Sequence, residues 1–83
     1  MGRKINLIWD FKGLDALETA KHHCIHLKEF AERDNLMYYD ISYDRIQELH
    51  YVAFITIAED DLKIFRDTLK PHRGTVADGS RVK

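Results

Sequence analysis

Five consecutive residues, His22-His23-Cys24-Ile25-His26, hold three of the five histidines and the only cysteine of this 83-residue chain. Imidazole is a ready ligand for divalent transition metals. Residues four apart on a helix share a face, so His22 and His26 can chelate such an ion one turn apart. Two ligands do not fill the tetrahedron that zinc prefers. The HExxH pattern that would add a general base is missing, because Lys28 and Glu29 fall at the wrong offsets. A zinc ion held by His22 and His26 alone would be completed by water and weakly bound. The same spacing equally describes a solvated helix face. Cys24 falls among alanines on the apolar side of that helix and is expected to be a small buried hydrophobe. No cation at fixed spacing argues for an activated thiolate. His23 falls at the rim of the apolar side, where a half-buried ring is expected.

The remaining candidates, Asp10, His50, His72 and Arg73, are scattered along the chain, so only a fold can gather them. Residues 4–11 alternate, with Ile5, Leu7, Trp9 and Phe11 on one side, which predicts a strand ended by Lys12-Gly13. A helix is expected over 15–34, with Asp15 as N-cap, Glu18 three residues on, and Ala16, Ala20, Cys24, Leu27 and Ala31 as its apolar stripe. Alternation returns over 37–46. Residues 49–57, LHYVAFITI, are apolar on both faces and predict a central strand. The acidic Glu59-Asp60-Asp61 suits a helix start. Leu62, Phe65 and Leu69 supply that helix's stripe, and Pro71 ends it. A short last strand is expected at 74–77.

The order β-α-β-β-α-β, joined by right-handed crossovers, leads to an α+β fold. It has a four-stranded antiparallel sheet in order 4-1-3-2 and two helices on one face. In that arrangement the first strand ends, the first helix starts, the third strand starts and the second helix ends at one edge of the sheet. Asp10, His50 and His72 then meet there, with Arg73 beside them. His23 lies about 12 Å along the helix from Asp15, at the helical rise per residue, and borders the same cleft. These five residues are the candidate ligand-binding cluster. His50 and His72 with Asp10 would also make a fuller zinc site than His22 and His26 do. The plain structural roles are that Asp10 orients its loop, His72 meets the helix C-terminus, and His50 is a strand-end surface residue.

The pattern over about residues 4–77 resembles the ferredoxin-like superfamily. Within it, His26-Leu27 in HLKEF resembles the helix-one pair of the YCII-related branch of dimeric α+β-barrel proteins. That resemblance implies face-to-face sheets and a histidine–aspartate pair, of which the aspartate has no assigned position here. The phrases HHCIHLKEF, HYVAF and LKPHRG are also similar to those of small bacterial proteins without an assigned activity.

Composition narrows the function classes. Thirteen Lys+Arg nearly balance 14 Asp+Glu, so the basic footprint that drives nucleic-acid binding is missing; KPHRG at 70–74 is too thin to supply it. Asn6 and Asp10 interrupt the apolar start, and no stretch is long enough to span a bilayer. One cysteine cannot close an internal disulfide, and a cytoplasmic location is expected. The length fits a single domain, with a polar tail at 78–83 expected to be disordered. Two function classes follow. One is a homodimeric domain that binds a small ligand or protein partner, its two copies meeting through the sheet side that helices leave bare or through an edge. On β3 that side is either Val52 and Phe54, or Tyr51, Ala53, Ile55 and Ile57. The other is a histidine-dependent enzyme or metal-binding protein acting at the Asp10/His50/His72 edge.

Overall fold

The computed structural model describes residues 3–77; the tail expected to be disordered lies outside them. Seven elements follow in order: β1 (Lys4–Lys12), α1 (Ala16–Arg33), β2 (Asp40–Gln47), β3 (His50–Ala58), a 3-10 turn (Glu59–Asp61), α2 (Leu62–Leu69) and β4 (Arg73–Ala77). The sheet runs β2-β3-β1-β4 with every neighbouring pair antiparallel. This is the 4-1-3-2 order read from the other side, with the ferredoxin-like βαββαβ topology. β1 and β3, the most apolar strands, are central.

Alternation decides the faces. Ile5, Leu7 and Trp9 of β1 and Ile55 and Ile57 of β3 pack with Leu27 and Phe30 of α1 and Phe65 of α2. Both helices therefore lie on one face. Small residues at Ala16, Ala20 and Ala31, all buried, let α1 lie close to the strands. The opposite parity, Ile8 and Val52 with Ile46 and Phe54 against them, makes a second, smaller apolar cluster on the face without helices. Of the two parities considered for β3, Val52 and Phe54 are the ones on that face. Val52 is 0% exposed and Ile8 1%, however, so this face is less bare than the strand pattern alone implies.

Asn6 and Thr56 are opposite each other on the β1–β3 ladder, 5% and 8% exposed, and the Thr56 hydroxyl donates to Asn6 Oδ1. A polar rung inside an apolar ladder pins register, because a one-residue slip of either strand would turn its polar group to the other face and separate the pair.

The ends of α1 correct two expectations. Asp15 makes no side-chain cap; instead the Ala16 N–H donates to Gly13 O at 3.2 Å, with Gly13 at φ 115°, open only to glycine. At the other end, Asn35 takes a left-handed φ of 56°. The Asn35 and Leu36 N–H groups donate to Glu32 O and Ala31 O at 3.3 and 2.8 Å, a Schellman closure. That closure uses the chain up to Leu36, so β2 starts at Asp40 rather than at Met37. Two residues, Glu48 and Leu49, join β2 to β3, and Leu49 adopts φ 62°.

Candidate functional site

On the helix-free face, the rungs of the ladder put Lys12 opposite His50, then Asp10 opposite Val52, then Ile8 between Phe54 and Arg73. Strand parity thus brings Asp10, His50, Arg73 and Lys12 to one end of one face. His50 Nε2 lies 2.9 Å from Asp10 Oδ1. Arg73 grips the same carboxylate twice, Nε to Oδ2 and Nη2 to Oδ1, both at 3.1 Å. A carboxylate oxygen can only accept, so His50 Nε2 carries the proton, and in the neutral ring Nδ1 holds the lone pair. The Asp10 and His50 side chains are only 23% and 15% exposed, which limits competition from water. The Arg73 guanidinium, more than any other group, holds the Asp10 carboxyl below its usual range; partial burial opposes it and His50 assists it.

His72 belongs to the backbone rather than to this face. β4 begins at Arg73, opposite Ile8 and two residues too late to pair with Asp10. His72 fills the gap: its N–H donates to Ile8 O at 3.0 Å, and its Nδ1 accepts from the Asp10 N–H at 2.9 Å. The ring extends the ladder by one bond and turns its Nε2 away from it. The helix C-terminus expected to engage His72 is met by Trp9, whose indole N–H donates to Leu69 O at 3.3 Å.

His23 lies on the helix side of the sheet. Its ring packs against Trp9 at 4.5 Å and Phe11 at 5.5 Å between centroids, and the Phe11 ring stands 6.4 Å from that of His72. His23 Nε2 is buried without a hydrogen-bond partner among the described residues. Burial, and after it the neighbouring His26 and His72, lower the pKa of His23 below its ordinary value. The sheet therefore divides the expected cluster: Asp10, His50 and Arg73 share one face, His23 lies on the other, and His72 sits at the edge between them.

His22 and His26 are exposed on α1, where His26 Nδ1 lies 3.6 Å from Glu29 Oε1. Among the described residues, no group of three or more His, Cys, Asp and Glu side chains is placed to hold a metal ion. The fuller zinc site expected from His50, His72 and Asp10 meets a specific obstacle. Both Asp10 oxygens are occupied by Arg73 and His50, and the His72 Nδ1 lone pair is taken by a backbone amide. Cys24 is half-buried rather than buried. Burial, with Asp40 adding to it, pushes its thiol pKa up to about 11, the opposite of activation.

The sequence alone did not single out Lys12, which joins the site through its register with His50. Strand parity was the available signal, since Asp10 and Lys12 are two apart. Among the described residues no helix is long and apolar enough to cross a membrane. Compared with family models, curated proteins and solved structures, the chain has no match.

Proposed function

We propose that this protein is a small binding domain whose polar end of the helix-free sheet face takes a small anion, a carboxylate or a phosphate. One observation carries this reading: Asp10 is saturated by Arg73 and His50, so the ligating capacity left at the site is mostly donors. Arg73 Nη1 has no partner among the described residues, and Lys12 is exposed on the same face. Asp44, the nearest further carboxylate along the rungs, turns its Oδ1 to the Arg45 amide at 2.9 Å. Charge-assisted bonds from arginine and lysine suit an oxyanion. Titration with inorganic phosphate and with acetate, followed by amide NMR shifts, tests it. Shifts centred on Lys12, His50 and Arg73 are expected in the wild type and are lost in Arg73→Ala. Uniform small shifts that Arg73→Ala leaves unchanged refute the site.

A second reading takes His50 as a general base, favoured by the 2.9 Å contact with Asp10 that orients the ring and leaves Nδ1 as acceptor. Hydrolysis of p-nitrophenyl acetate discriminates it from simple binding. A rate that falls in His50→Gln and not in His22→Gln supports this reading; equal loss in both means only surface imidazole chemistry.

We further infer a homodimer through the helix-free face, the arrangement that the resemblance to dimeric α+β barrels implies. Ile46 and Phe54 remain half-buried there over Ile8 and Val52 and give a second copy apolar contacts. Light scattering at about 100 μM, well above a micromolar dissociation constant, reads the stoichiometry, and a monomer refutes it.

A further inference from the structure

On the helix side, β4 presents only Gly74 and Val76 toward the layer beneath, opposite Leu7 and Ile5 of β1. The eight-residue α2 packs through Leu62, Phe65 and Leu69 and leaves this edge uncovered. Because Gly74 has no side chain, a groove of about 340 Å3 opens between β4 and α2. Its walls are Ile5, Leu7, Leu62 and Val76, and Arg66 stands at its rim. Val76 is 48% exposed, so its apolar surface faces the groove with nothing described upon it. Of the two charged side chains that border the groove, both are arginines. Arg73 turns its guanidinium to the far face, where its Nε and Nη2 bind Asp10. Arg66 spends only its Nε, on Asp67 at 3.3 Å, and its two Nη groups have no partner among the described residues.

We propose that this groove is a binding site for an amphipathic monoanion, a medium-chain or aryl carboxylate. The apolar body lies on Ile5, Leu7, Leu62 and Val76, and the carboxylate pairs with the Nη groups of Arg66. The volume is at the low end of small-ligand sites, which excludes a large cofactor, and the walls are apolar with one cationic group to orient the ligand. Apart from Arg73, which borders both, this site is separate from the face of Asp10, His50 and Lys12, since the sheet lies between them.

An NMR titration of the full chain with octanoate, 1-octanol and acetate tests the proposal. Octanoate is expected to shift the amides of Gly74, Thr75, Val76 and Arg66. Acetate should do so about tenfold more weakly or not at all, since it lacks the apolar body. Arg66→Gln should weaken octanoate several-fold while leaving 1-octanol unchanged. Gly74→Val fills the groove and should abolish binding of both. A Cβ at Gly74 meets Leu7 Cδ2 at 3.4 Å and Asn6 O at 3.6 Å, near ordinary contact, so the first added carbon fits, and the variant's own amide spectrum reports whether the valine methyls do. If Gly74→Val does not fold, Arg66→Gln alone decides. Octanoate shifts that miss β4, or an octanoate affinity indifferent to Arg66→Gln, overturn the proposal. A loss of phosphate binding at Lys12 and His50 leaves it standing, because that result concerns the other face.

Discussion

Replacing Thr56 with valine keeps the β-branched shape and removes one hydroxyl from the β1–β3 ladder. In the wild type that hydroxyl donates to Asn6 Oδ1, and both residues are buried to more than nine-tenths. Water cannot readily take its place, so Thr56→Val leaves the Asn6 oxygen facing a methyl group. The cost is then the desolvation penalty of an unpaired buried acceptor, about 1–3 kcal/mol, rather than the smaller net worth of a hydrogen bond. For a domain of this size each kcal/mol corresponds to roughly 4–8 °C in Tm, so the expected loss is easily measured. Asn6→Leu should cost less, because a lone Thr hydroxyl can turn to a nearby backbone carbonyl. The double variant Asn6→Leu/Thr56→Val removes both polar groups and should recover most of the loss, giving a coupling energy above about 1 kcal/mol. Urea unfolding of the four proteins, with equal m-values as the check on two-state behaviour, supplies the cycle. A Thr56→Val change below about 0.5 kcal/mol, the scatter typical of surface substitutions, would show that the rung is solvated and that the reasoning is wrong.

Three further outcomes follow from the titrating groups. His23 has a pKa lowered by burial, so the fold favours its neutral form; its contribution is complete above the ordinary value of 6.5 and is lost as pH falls below it. Urea midpoints at pH 7.5 and 5 should differ less in His23→Phe than in the wild type, and an unchanged difference contradicts this. Asp10 has a lowered pKa, so its contribution is present above the ordinary 3.8 and disappears as pH falls through the folded-state value. In Arg73→Ala the Asp10 carboxyl resonance should titrate at higher pH; a titration identical to wild type would mean the arginine is not its main partner. Cys24, with its thiol raised to about 11, should react with Ellman's reagent at pH 8 much more slowly than free cysteine, and a rate equal to free cysteine refutes its half-burial.

Periodicity made the four strands, both helices and the sheet order legible, because one face of every element had to be apolar. The gathering of Asp10, His50 and Arg73 was legible for the same reason: topology puts their strand ends at one edge. Which face each side chain takes was harder to read. His23 shares the edge in sequence space, yet helix α1 holds it under Trp9 and Phe11, across the sheet from Asp10. His72 was visible as an imidazole but not as a substitute for a missing strand residue, a role set by where β4 begins. The Asn6–Thr56 rung depends on register between strands far apart in the chain, which single-strand patterns do not encode. Asp15 is the right residue type for a cap, yet its side chain makes no cap bond, and the first helical N–H, that of Ala16, goes to the Gly13 carbonyl.

The position of β1 has a kinetic consequence. It is the first strand in the chain, yet it pairs only with β3 and β4, in rungs as distant as Lys12↔His50 and Lys4↔Ala77. Only the β2–β3 hairpin pairs neighbours in sequence, and its two-residue turn holds Leu49 in a left-handed conformation that leucine resists. The one local nucleus is therefore weak, and the strong apolar pairing must first close long loops. Collapse should bring little lasting structure before β1 docks on β3, and refolding should be a single slow step. Substitutions on the Ile5, Leu7 and Ile55 rungs would then slow folding, while those in the Glu48–Leu49 turn would act mainly on unfolding.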